Sequence, residues 1–137
     1  MFLEDISVNW WAVILSTVIY FVLGAIWYSP ALFGSMWAKH DPSMKDHENK
    51  NMTVGLMGEL IIGLIMSYVL AVFIEVSEAN AVEKGVVVAL WAWIGFIATT
   101  QFSFVLWGKR SLISYFIHSG FVLVALILMG IAISGLK

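Results

Sequence analysis

Four stretches of about 20 mainly apolar residues dominate the chain: Val8 to Tyr28, Val54 to Ile74, Gly85 to Trp107 and Ser111 to Ser134. Each is long enough to cross the hydrocarbon core of a bilayer as a helix. That core holds no water to satisfy backbone N–H and C=O groups, so such a segment must take a form that satisfies its own. The charges support this partition. Only 12% of the 137 residues are charged, and they cluster between the apolar stretches rather than along one face of amphipathic helices. The expected fold is all-α: an integral membrane four-helix antiparallel bundle forming a single transmembrane domain over residues 1–137.

The boundaries follow from local chemistry. Pro30 suits the first turn of a helix and disfavours helical geometry at Ser29, so the first span should end near Tyr28. Gly108-Lys109-Arg110 is a link short enough to fold the last two spans into an antiparallel hairpin. Within the long loop 29–53, the stretch Ala31 to Ala38 puts Leu32, Phe33, Met36 and Trp37 on one side, as in a short interfacial helix after the first span. His40 to Asn51 is almost wholly polar. His40, Asp41, His47 and Glu48 lie there, but two histidines seven apart carry no metal-site signature, so no metal and no cofactor is expected.

Orientation is read from Lys and Arg. Lys39, Lys45 and Lys50 occupy the long loop, and Lys109 and Arg110 the last turn, whereas the opposite side has only Lys84 and Lys137. The positive-inside rule puts both loops in the cytoplasm and both termini outside. Trp10 and Trp11 then mark the outer interface, and Trp27, Tyr28 and Trp107 the inner one, while Trp91 and Trp93 are expected between helices. Glu4 and Asp5 stand where a secretory signal would carry Lys or Arg, so the first apolar segment is expected to be retained. A net charge of −2 gives no basic excess suited to nucleic acid. The absence of cysteine removes disulfides, thiolate metal sites and cysteine nucleophiles. Trp11-Ala12 and Trp27 match Trp91-Ala92 and Trp107 at a constant offset, a faint echo that a parallel duplication would produce.

Glu59 is the exceptional residue. The apolar run Leu60 to Ile74 is too short to span alone, so the carboxylate before it must be immersed, at a cost of about 2.5–3.5 kcal/mol near a span centre. Counting from Val54 puts Glu59 about 7–8 Å below the cytoplasmic surface, and the same counting puts His118 and Gln101 at roughly 9–11 Å. Thr99, Thr100, Ser103 and Ser114 fall in the same layer. Gly55, Glu59, Gly63, Ser67 and Ala71 recur every fourth residue, a stripe of small residues that permits close helix approach. Gly95, Thr99 and Ser103 form a second stripe, and Ser114 and His118 share a face of the fourth span. These faces are expected to meet, with Glu59 pointing inward and sharing a proton with His118.

Two functions fit such a layer. One is a small ligand-binding or transport protein, passing a small molecule or protons, whose cytoplasmic-half pocket is lined by Glu59, His118, Gln101, Thr100, Trp27 and Tyr28. The other is a structural or accessory membrane subunit in which the same residues only tie helices together. No Gly-x-Ser-x-Gly elbow, His-rich motif or phosphate loop is present, so no catalytic residues and no enzyme are expected. Four helices enclose little volume, so a transport path would call for a homo-oligomer.

Asn9-Trp10, Ala12, Gly24-Ala25-Ile26-Trp27-Tyr28-Ser29-Pro30, Phe33-Gly34 and Trp37 make a pattern. It continues in Trp93-Ile94-Gly95-Phe96, Gly108-Lys109-Arg110, His118-Ser119-Gly120-Phe121 and Met129-Gly130. Together these resemble the bacterial membrane family catalogued as domain of unknown function 1761, over nearly the whole chain. The resemblance implies a four-helix integral protein of the bacterial cytoplasmic membrane and supplies no activity. An asparagine is common in that family near the position of His118, so His118 is a departure from the pattern.

Overall fold

The computed structural model describes residues 6–40 and 52–137, in which every regular element is a helix. Helix α1 spans Trp10–Trp27, α2 Gly34–His40, α3 Met52–Val76, α4 Val82–Ala92, α5 Thr99–Leu106 and α6 Leu112–Gly135. A π-helical segment, Trp93–Ala98, joins α4 to α5, so residues Val82–Leu106 run as one rod. Among the described residues, that rod, α1, α3 and α6 are the four helices long and apolar enough to cross a membrane, and the short α2 follows the first of them.

Caps and end contacts fix the antiparallel order. Asn9 caps α1, its Oδ1 accepting from the Trp11 and Ala12 amides at 3.0 and 3.4 Å, while its Nδ2 donates to Leu136 O at 3.1 Å. At the same end Lys137 lies 3.4 Å from Glu75. Ser111 caps α6 by accepting from the Ser114 amide, and Gly108, at φ +73°, makes the preceding turn. The starts of α1 and α4 thus share an end of the bundle with the finishes of α3 and α6.

Helix α6 is the hub because it buries residues on several sides. Ser114, Ser119, Ala125, Gly130 and Ser134 are buried among Tyr115, Phe121, Leu126, Met129 and Ile133. Its closest partner is α4. A Cβ on Gly85 would lie 2.7 Å from Gly130 O and collide with the Ser134 hydroxyl, and one on Gly130 would lie 2.8 Å from Gly85 O. Only paired glycines allow this backbone approach, the usual device where lipid removes the hydrophobic drive between helices.

The α3 stripe packs in one half only. Gly63 fits beneath Tyr20, whose Cδ1 would be 2.8 Å from an added Cβ, and Ser67 and Ala71 are buried beyond it. Ser67 donates to Gly63 O at 2.7 Å and accepts from Thr17 at 3.4 Å. Among the described residues, a Cβ on Gly55 or Gly58, by contrast, would meet nothing within 4 Å.

The third span corrects its sequence expectation. Gly95, Thr99 and Ser103 are exposed and face away from the other helices. Gly85 and Ala89 face α6 and are buried, as α-helical spacing of about 3.6 demands; continued, it would bring positions 96, 99 and 103 inward. The π segment adds a residue to the turn, and positions 97, 98, 101 and 105 become the half-buried ones instead. Thr99 and Thr100 donate to their own helix at Gly95 O and Phe96 O, so their hydroxyls need no neighbouring helix. The rod is tied to α6 by Trp93 Nε1, which donates to Ser119 O at 2.8 Å, and by the Tyr115 hydroxyl, which donates to Ala98 O at 3.0 Å.

Other expectations change as well. Trp93 packs between helices as expected, but Trp91 is 72% exposed. Trp27 and Trp107, matched by the duplication offset, sit in unlike surroundings: Trp27 bonds to α6 and Trp107 is 79% exposed. Residues 30–33 form turns and the helix starts only at Gly34. Phe33 and Trp37 therefore pack on α1 while Leu32 and Met36 stay exposed, so the four do not share one face. Asp41, His47 and Glu48, and with them the weak loop metal pattern, lie outside the described residues.

Candidate functional site

The inner face of α1 is set by spacing. Val13, Ser16 and Tyr20 are buried, and Leu23 and Trp27 continue the same alternation of three and four residues toward α6. Tyr20 consequently lies against Phe121 of α6, with ring centroids 5.2 Å apart, and its hydroxyl donates to Glu59 Oε2 at 3.0 Å. A buried tyrosine hydroxyl needs such a partner.

One turn beyond the end of α1, the chain doubles back. Phe33 N donates to Trp27 O and Gly34 N to Ser29 O, and the close approach demands glycine at 34. A Cβ there would collide with Tyr28 O and lie 2.8 Å from Ser29 C and O. This hook lays Phe33 on Trp27, at 4.8 Å, and Trp37 on Tyr28, at 4.7 Å. Trp27 Nε1 donates to Ile117 O at 2.9 Å, and the Tyr28 hydroxyl meets His118 Nδ1 at 2.8 Å. Phe121, 3% exposed, touches Tyr28 at 5.6 Å, Trp27 at 6.3 Å and His118 at 6.4 Å. The site is thus an aromatic cluster around Phe121, joined to the imidazole through Tyr28 and to the carboxylate through Tyr20.

This arrangement revises the expected polar layer. Glu59 is exposed rather than enclosed, and the partner it takes is Tyr20 instead of His118. Its helix turns Gly63, Ser67 and Ala71 toward α1, so a tyrosine from α1 reaches the carboxylate. Gln101 accepts from Arg110 Nη1 at 2.8 Å, and Thr100 is exposed and bonded to its own helix. Of the six candidates, Trp27, Tyr28 and His118 therefore converge directly, Glu59 joins through Tyr20, and Gln101 and Thr100 belong to the third span. Tyr20, Phe121 and Trp37 complete the cluster. The signal for Tyr20 lay in the 13-16-20-23-27 spacing together with the need of its hydroxyl for a partner.

Electrostatically the site is unbalanced. Among the described residues no cationic side chain pairs with Glu59, and the ion pair Glu75–Lys137 lies at the opposite end. The carboxylate is flanked, one and four residues earlier, by Gly58 and Gly55, on which an added Cβ would meet no atom of the described residues within 4 Å.

Trp27→Phe keeps the ring contacts and removes the bond to Ile117 O. It is expected to lower stability by about 0.5–2 kcal/mol, the range of hydrogen bonds between membrane helices. Unfolding of purified protein in mixed micelles measures this, and an unchanged midpoint would show that the bond contributes nothing.

A family model described as Protein of unknown function (DUF1761) matches residues 11–134, all four long helices included, and the chain belongs to that family. Neither the curated proteins nor the solved structures contain a match to it.

Proposed function

We propose that this protein binds a small ligand, or a proton, at Glu59 and the aromatic cluster beside it, as a non-catalytic component of the bacterial cytoplasmic membrane. The observation that carries this reading is an exposed carboxylate within an apolar span, bonded to one tyrosine and paired with no cation among the described residues. A carboxylate serving only as helix glue would be enclosed and fully bonded, because a buried acceptor left unmade is expensive. Orientation by Lys39, Lys109 and Arg110 puts the site on the cytoplasmic side, with both termini outside. A homo-oligomer would enclose the site further and cover the outward face of the third span.

A second reading, an accessory subunit with a purely structural polar layer, draws support from a different part of the layer. Trp27, Trp93 and Tyr115 each donate to a backbone carbonyl of a neighbouring helix. Gln101 and Thr100 fit that role better than a binding role.

Access to position 59 tests the first reading. The chain has no cysteine, so Glu59→Cys carries the only thiol. In liposomes it is expected to react with a membrane-impermeant methanethiosulfonate at least about tenfold faster than Ile61→Cys, because only thiolate in contact with water reacts. Ile61 is 56% exposed on another side of α3. Equal or slower reaction at position 59 would place it against lipid or protein and sink the reading.

A further inference from the structure

We infer that the ligand class taken by this site is a lipophilic organic cation; the inference rests on the reading above and names the chemistry that would fill it. Each class of small molecule asks something different of the groups present. A hard metal ion needs several oxygen ligands, six or more for calcium. Near Glu59 the structure offers one carboxylate and the Tyr20 hydroxyl, and no cluster of three metal-ligating side chains occurs among the described residues. An anion would be repelled. A neutral apolar molecule would displace water from the carboxylate while compensating none of its charge.

An organic cation meets each condition. Its charge is spread over a bulky apolar body, so it needs no oxygen cage, pairs with the unbalanced carboxylate and is attracted by ring faces. Tyr28 and Trp37, half-buried and with ring centroids 4.7 Å apart, supply the accessible aromatic surface, and the buried rings of Phe121 and Tyr20 link it to the carboxylate through contacts of 5.6 and 5.2 Å. Room exists beside the carboxylate, since among the described residues nothing lies within 4 Å of a Cβ placed on Gly55 or Gly58. Gly63 is required by Tyr20, but nothing among the described residues requires glycine at 55 or 58.

Tetraphenylarsonium and tetraphenylborate separate charge from shape, because they match in size and apolar surface and differ in sign. Equilibrium dialysis against the full chain in nanodiscs of zwitterionic lipid, each ion run separately and corrected for empty nanodiscs, is expected to show saturable arsonium binding and no saturable borate binding. Glu59→Gln, which keeps an acceptor for Tyr20, is expected to weaken arsonium binding by about tenfold or more. In the parent protein, arsonium but not borate is expected to protect Glu59 from modification by dicyclohexylcarbodiimide, read by mass spectrometry. Equal binding of both ions, undiminished binding by Glu59→Gln, or no protection in the parent would overturn the assignment. If Glu59→Cys is open to water while these fail, the site stands and the ligand class does not; if Glu59→Cys is closed, both fall.

Discussion

Gly85→Val is expected to lower stability by about 1–3 kcal/mol or more, because its branched side chain would enter the space held by Gly130 O and the Ser134 hydroxyl. The obstacle on one side is backbone, which no rotamer change can move aside. The whole of α4 must retreat from α6, and the buried faces Gly85 and Ala89 on one helix and Gly130, Ile133 and Ser134 on the other lose contact together. Gly55→Ala provides the contrast. Its added Cβ meets no atom of the described residues within 4 Å, and alanine is the better helix former, so stability is expected to hold or to rise by up to about 1 kcal/mol. Unfolding midpoints in mixed micelles compare the two. Equal losses would mean that the Gly85–Gly130 crossing contributes little.

That contrast shows what a sequence pattern can and cannot convey in a membrane. The four spans were legible because length and lack of charge are properties of a segment, independent of its neighbours. Rotation about the helix axis is not. Gly55 and Gly63 belong to one stripe at one spacing, yet one faces open space and the other Tyr20, since α1 covers only part of α3. The Gly95, Thr99 and Ser103 stripe had the same appearance, and the π turn before Thr99 rotated it outward. Nothing in the apolar run Trp93–Ala98 announces that extra residue. Depth along the helix was recoverable and put Glu59 and His118 in one layer. Their partners depended on which aromatic ring of α1 or its cap reached them first, and Tyr20 lies 39 residues from Glu59 and Tyr28 90 residues from His118.

Gly34→Ala tests whether the hook after α1 holds the site in place. The added methyl would collide with Tyr28 O, so the turn must open and α2 must leave its position. The contact most directly lost is Trp37 on Tyr28, and with it the support for the hydroxyl that meets His118 Nδ1. A loss of about 1–3 kcal/mol is expected from the steric conflict. Trp37→Ala removes the same contact by another route and is expected to cost about as much as the aromatic pair and its burial contribute. Because both changes act through one contact, their effects should not add. The double variant is expected to be more stable than the sum predicts by about 0.5–1.5 kcal/mol, the range of an aromatic pair. Additive losses would mean that Gly34 fixes the chain for a reason unconnected with Trp37, and that Tyr28 holds His118 without help from α2. A coupling of the expected size makes the Ser29-Pro30 turn part of the binding site, since it sets where the ring of Tyr28 stands relative to Phe121 and the imidazole.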